Sequence, residues 1–250
     1  MDLPFDGCEV WWVRMPVQAI PVESFFPAID AVHRDALQRF LNPVDRMARA
    51  SAHALMRLRA AARLGVHVGQ LQTAVRPGGK PYFVGRTLRF SLTHCRALVG
   101  VAFSQRAELG LDVEGIREFD RTELLGLMES ILTPGERAEV AIGPDAPSLA
   151  FLKRWTLKEA IVKATGEGLA RDLSGFGLRW PAGLPPEWEP AGQSVAPGSW
   201  GLQTWNWGGH VMALARWGCL DEPFRSAVID LPVLLAACRS GGLSAPPDDD

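Results

Sequence analysis

Runs free of glycine and proline alternate along this chain with short runs crowded by valine, tryptophan and leucine, a pattern that predicts helices and strands mixed in one protein. Residues 8–15 (CEVWWVRM) read as an opening strand, and Ser24 to Leu41 as a short helix. Val44 to Leu64 has no Gly or Pro, is rich in Ala, Leu, Met and Arg, and stops at Gly65, as a long helix with a glycine C-cap does. Two glycines bracketed by prolines at 76–81 (RPGGKP) force a turn. Strands are predicted at Leu98–Phe103 and Glu108–Glu114, and the short connection Ser104-Gln105-Arg106-Ala107 suits a hairpin. After a helical stretch from about Arg121, Thr133-Pro134-Gly135-Glu136 has the residues of a helix start, and 143–147 (GPDAP) breaks the chain. Ser148 to Ala164 is the second long helix, ended by Gly166 and Gly168. Strands follow at Gly175–Trp180, Trp200–Trp207 and His210–Trp217, with Gly208-Gly209 as a tight turn between the last two. Pro181 to Gly198 reads as a surface loop, and the end from Gly241 (GGLSAPPDDD) as disordered.

Strand, long helix and strand pair recur in both halves. The expected fold is therefore α+β: two similar α/β lobes in pseudo-twofold arrangement, each with a small, mostly antiparallel sheet and a long helix. The lobes are expected at 1–107 and 108–220, with 221–250 as an extension that receives no role. The tryptophans at 155, 180, 205, 207 and 217 are expected in the core.

Composition narrows the function. Among 250 residues, 26 Lys plus Arg nearly balance 28 Asp plus Glu, so the net charge of −2 argues against a surface built to bind nucleic acid. An anionic ligand must then meet a local basic patch. Cys8, Cys95, Cys219 and Cys238 form no C-x-x-C pair, which disfavours a zinc site and a disulfide framework and suits a cytoplasmic protein. No basic n-region precedes an apolar stretch, and nowhere do about 18 uncharged apolar residues run together, so secretion and membrane spanning are not expected.

Asp112 and Glu114 are one residue apart in an apolar strand, so their side chains leave the same face and can grip one cation. Glu159 and Lys163 stand at i, i+4 on the second long helix, with Trp155 one turn earlier. Hard carboxylate oxygens with room for phosphate oxygens are how magnesium is usually held. Either pair alone is ordinarily a solvated strand edge or a surface helix pair.

The run Leu109-Gly110-Leu111-Asp112-Val113-Glu114, followed later by Trp155-Thr156-Leu157-Lys158-Glu159-Ala160-Ile161-Val162-Lys163, resembles the paired motif of 4'-phosphopantetheinyl transferases, G-hydrophobic-D-x-E and W-S/T-x-K-E-A/S-x-x-K. Gly79-Lys80-Pro81 resembles the G-K-P loop of the two-lobed, Sfp-type branch of that family, and Phe90-Ser91-Leu92-Thr93-His94 its F-N-L/I-S-H segment. The resemblance covers about Val44 to Leu178, and Thr133-Pro134-Gly135-Glu136 has a counterpart in it. Ser91 for Asn and Thr93 for Ser are mild departures.

The resemblance implies transfer of the phosphopantetheine arm of coenzyme A to a serine of an apo acyl, peptidyl or aryl carrier protein by a monomeric enzyme. It implies that Asp112, Glu114 and Glu159 hold Mg2+ against the pyrophosphate, with Asp112, Glu159 and Lys163 as the catalytic set and Lys163 and Lys158 neutralising phosphate charge. Lys80, Pro81, Thr93 and His94 are implied at the nucleotide end, Lys80 as a ligand whose loss raises the KM for coenzyme A. A helix arginine is implied there too; its expected place falls on Ala48, so Arg49 beside it is chosen, with Arg46 as the alternative. Either Glu159 or a water beside the metal would take the serine proton. The other reading is a non-catalytic relative that binds coenzyme A or carrier proteins. Since carrier domains tend to be acidic, a basic and apolar docking surface is expected.

Overall fold

The computed structural model describes residues 7–168, 171–181, 184–189, 200–219 and 222–243. Its regular elements are β1 (Cys8–Arg14), α1 (Ala31–Leu37), α2 (Pro43–Leu64), β2 (Thr73–Val75), β3 (Pro81–Phe83), β4 (Arg89–His94), β5 (Leu98–Ser104), β6 (Glu108–Gly115), α3 (Arg121–Ile131), α4 (Pro134–Ile142), α5 (Pro147–Thr165), β7 (Gly177–Arg179), β8 (Glu187–Glu189), β9 (Trp200–Trp207), β10 (His210–Trp217), β11 (Phe224–Ile229) and α6 (Leu231–Ser240). The fold is α+β. Two compact units divide the chain: unit 1 takes the chain up to Arg76, Pro81–Gln105 and the chain from Glu222, and unit 2 takes Pro77–Lys80 and Arg106–Asp221.

In unit 1 a four-stranded sheet has the order β11-β1-β5-β4. β1 and β4 flank β5 antiparallel, and β11 joins β1 in parallel. The helix α2 lies on β4 and β5. Asn42 starts it by accepting from the Val44 and Asp45 amides at 2.8 and 3.3 Å, Pro43 loses no bond at the first position, and Gly65 ends it at φ 63°. Glu9 on β1, fully buried, meets Arg59 and Arg63 of α2 and Arg225 of β11 at 3.3, 3.3 and 2.9 Å. Burial alone would raise its carboxyl; Arg59, Arg225 and Arg63 outweigh that and hold it below the usual range.

In unit 2 the order β6-β10-β9 is antiparallel throughout, with α5 packed on β6 and β10. Gly208 and Gly209, at φ 58° and 80°, make the predicted tight turn. β7 and β8 form a separate ribbon, so 187–189 of the predicted surface loop is strand. The rest of that loop at 182–183 and 190–198, and the predicted disordered end from Ser244, lie outside the described residues.

Other sequence expectations change as well. The strands at 98–103 and 108–114 do not form a hairpin, because the edges of β5 are taken by β1 and β4 while β6 pairs with β10. The expected helix from Ser24 to Leu41 is a 3-10 turn at Val22–Ala28 followed by α1, Pro27 lying within the turn. The segment set apart as an extension supplies β11 and α6 to unit 1. Of the tryptophans expected in the core, Trp217 is exposed and Trp155, Trp180, Trp205 and Trp207 are half-buried. Phe176, Trp188, Trp200 and Trp217 stack in a row, at 4.5, 5.6 and 6.3 Å between successive rings.

Candidate active site

The alternation of β6 puts Gly110, Asp112 and Glu114 on one face, beside Ala215, Ala213 and Val211 of β10. Gly110 is there because the α5 backbone comes so close: a Cβ on it would stand 1.6 Å from the Ala160 carbonyl oxygen. That approach brings the acids of β6 under α5. From α5, the Lys163 ammonium reaches Asp112 Oδ1 at 2.6 Å and the Leu111 carbonyl at 3.2 Å. Glu159 lies one turn before Lys163, and the Trp155 indole donates to it.

The carboxylates feel one another. Burial, then the charges of Asp112 and Glu159, push Glu114 up to about 7 against the pull of Lys163 and Arg117. Glu159 is raised by burial first and then by Asp112. Among the described residues no three His, Cys, Asp or Glu side chains are gathered into a closed metal cage. The expected convergence of the three acids on one ion is thus not preassembled, and Lys163 already engages one oxygen of Asp112. The donor set still fits magnesium, a hard cation usually held by one or two carboxylates together with substrate phosphates, in a place where negative charge is in surplus.

Glu114 gives a sign to the pH dependence. Its folded value lies above the ordinary 4.5, so its contribution to stability is full below 4.5 and is lost as pH rises through about 7. Metal-free protein should melt a few degrees lower at pH 8 than at pH 5, and Glu114→Gln should flatten that slope, as differential scanning fluorimetry across pH would read (roughly 2–4 °C per kcal/mol at this size). A wild-type slope identical to that of Glu114→Gln would refute the coupling.

Two lysines expected at the ligand are committed elsewhere. Lys158 is fully buried, and its ammonium meets Glu136 Oε2 at 2.7 Å and the carbonyls of Ile131, Leu173 and Phe176 at 2.8–2.9 Å. It points into the protein and does not serve a phosphate. Lys80 Nζ donates to Glu108 Oε2 and the Ala164 carbonyl, both at 2.7 Å, tying the G-K-P loop to β6 and the end of α5. The same loop is pressed there by backbone: a Cβ on Gly78 would stand 1.7 Å from the Gly166 oxygen. Lys80→Ala should therefore cost about 1–3 kcal/mol in urea unfolding, the range for stranding buried partners, while the KM for coenzyme A moves by less than about threefold. A large KM change at unaltered stability would restore Lys80 to the ligand.

In unit 1, Thr93 is buried in β4, His94 ends that strand half-buried, and Pro81 opens β3. Arg46 is clipped to the Phe40 carbonyl at 3.0 and 2.6 Å, whereas Arg49 lies half-buried with its guanidinium 5.1 Å over the Phe40 ring. Two histidines that sequence reasoning missed join Arg49. His53, one turn later on the same face of α2, is buried, and its ring centre is 4.2 Å from that of His33. His33 Nδ1 is 2.6 Å from Asp30, itself held by Arg57 at 2.8 Å. Burial, then the positive charges of His33 and Arg49, push His53 down to about 3, with His94 adding a smaller push. The i, i+4 spacing of Arg49 and His53 was the available signal.

Residues 108–215 match the 4'-phosphopantetheinyl transferase superfamily. The chain is 26% identical over 176 residues to the 4'-phosphopantetheinyl transferase HetI of Nostoc sp., covering 68% of this chain and 73% of that one. It is 24% identical over 170 residues to the 4'-phosphopantetheinyl transferase of Bacillus subtilis, 67% of this chain and 74% of that one. With AcpT of Escherichia coli it shares 38% over 90 residues, 35% of this chain and less than half, 45%, of the relative. Holo-[acyl-carrier-protein] synthase structures from Thermotoga maritima and Neisseria meningitidis align at TM-score 0.36, with 18% and 21% identity, over 45% of this chain and 64% and 98% of theirs.

The sequence matches identify a transferase enzyme. Over residues 108–215 the chain is similar to the 4'-phosphopantetheinyl transferase superfamily, and the curated relatives above are transferases of that kind.

Proposed function

We propose that the protein transfers the 4'-phosphopantetheine group of coenzyme A to a serine hydroxyl of an apo acyl, peptidyl or aryl carrier protein, releasing adenosine 3',5'-bisphosphate. The observation that carries this reading is the meeting of β6 and α5, where Lys163 engages Asp112 while Glu114 and Glu159 stand within each other's field. Asp112, Glu114 and Glu159 would hold Mg2+, which supplies neutralisation of the charge that builds on the pyrophosphate. Lys163, already in contact with Asp112, is placed to share its protons between that carboxylate and a phosphate oxygen. Glu159, whose carboxyl burial and then Asp112 raise, is the candidate base for the serine proton, with a water beside the metal as the alternative. The serine oxygen forms a bond to the β-phosphorus, the bond from that phosphorus to the bridging oxygen breaks, and the leaving oxygen carries the electron pair.

Arg49, Thr93, His94 and Pro81 are proposed for the nucleotide end, with Arg49 preferred because Arg46 is spent on Phe40. The two units, each a small sheet with a long helix, are proposed as related halves of one pattern. A monomeric, cytoplasmic protein is part of the same reading; among the described residues no helix is long and apolar enough to cross a membrane. The test mixes protein, coenzyme A, Mg2+ and an apo carrier protein, and reads the mass of the carrier. Gain of the phosphopantetheine mass that vanishes with EDTA is expected. Binding of coenzyme A with no mass gain on any carrier class would favour the non-catalytic relative.

A further inference from the structure

Lys158 and Glu136 are a fully buried ion pair beside the site, and the chemistry proposed above gives neither a task. Their bonds reach far in sequence. The Lys158 ammonium draws together the carbonyl of Ile131 at the end of α3, that of Leu173 in the 3-10 turn at 173–175 and that of Phe176 just before β7. Glu136, at 2.7 Å from it, also accepts from the Thr133 amide at 2.8 Å through Oε2 and from the Leu178 amide at 3.0 Å through Oε1. One pair thereby fastens α3, the start of α4, the 173–175 turn and β7 to a single residue of α5.

A buried ion pair is a weak source of stability, because desolvating both charges offsets most of their attraction. Its geometric effect here is large, because Lys158 adjoins Glu159. Neighbours on a helix are fixed about 100° apart, so an anchor on Lys158 sets the direction of Glu159. A rotation of α5 by about 20° would swing a carboxylate lying about 5–6 Å from the helix axis by roughly 2 Å, enough to change how Glu159 faces Asp112, whose charge it feels.

We propose that Lys158 and Glu136 are positioning residues whose buried pair fixes the rotation of α5 and thereby places Glu159 and Lys163 against Asp112. This rests on the reading of the three acids as a magnesium site.

The test uses the full chain as Glu136→Gln, Lys158→Met and the double variant, in which no charge is left stranded. Mg2+ titrations are read by thermal shift and by calorimetry, and transfer kinetics run alongside. In any variant that folds, the Mg2+ midpoint should rise about 10–100-fold, as losing outer partners of a metal site does. Under saturating carrier, kcat should fall while the KM for coenzyme A stays within about threefold. A lower melting temperature with an unchanged Mg2+ midpoint would make the pair merely structural. Failure of all three variants to fold would make it a folding device, which also overturns the proposal. A wild-type protein that binds no Mg2+ at all would instead remove the magnesium reading itself.

Discussion

Replacing Asp112 or Glu159 by alanine is expected to lower transfer by about 10³-fold or more, the scale on which a charge-stabilising group at a reacting centre matters, without unfolding the protein. Asp112 is in contact with Lys163, and Glu159 is the only acid of the set carried by α5. Stability should survive because the acids repel: Asp112 contributes to the upward shift of both Glu114 and Glu159, so its loss relieves strain at pH 8. The half-buried Lys163 left behind keeps the Leu111 carbonyl as an acceptor. The measurement is carrier mass gain together with the melting temperature at pH 8, expected at or above that of the wild type for Asp112→Ala. Wild-type transfer by either variant would end the assignment of the acids. Loss of transfer accompanied by collapse of the fold would show instead that the acids hold the unit together.

The parts of this site that were legible in the sequence are those set by local periodicity. Alternation along β6 and the i, i+4 step along α5 put Asp112 beside Glu114 and Glu159 near Lys163, and the contact between Lys163 and Asp112 joins the two motifs. What local periodicity cannot carry is which chain segments close over a side chain. A motif lysine reads as a phosphate ligand, yet the carbonyls of Ile131, Leu173 and Phe176 come from segments on both sides of Lys158 in sequence. Lys80 is alike: its acceptors, Glu108 and Ala164, are remote from it along the chain. The connection 104–107 had the length of a hairpin, but loop length does not say which sheet each strand joins. The parallel pairing of β11 with β1 links nearly the two ends of the chain, and nothing local in FRSAVI announces it. His53 went unnoticed because its meaning depends on His33, which α1 delivers to its ring.

The register of β6 against α5 then rests on one absent side chain. Gly110→Ala would put a Cβ 1.6 Å from the Ala160 oxygen and 2.6 Å from the Ala164 amide nitrogen, both backbone atoms that cannot turn aside. Strand and helix must part, at a cost near or above the top of the ~1–3 kcal/mol range for overpacked cores. The chemistry should suffer beyond the fraction unfolded. Asp112 lies two residues along β6, and Glu159 precedes Ala160 on α5, so the separation opens the contact between Lys163 and Asp112. A displacement of about 1 Å at a positioned group can cost on the order of 10²-fold in rate, and transfer by the folded fraction should fall at least that far. Gly126 in α3, whose added Cβ would meet nothing within 4 Å, supplies the control. Gly126→Ala should stabilise by about 0.4–1 kcal/mol, as a helical glycine replaced without strain does, and leave transfer unchanged. Urea unfolding and transfer assays on the two variants decide it. Equal stability and activity for both would mean that α5 does not press on β6 at Gly110, and the placing of the acids would need another cause.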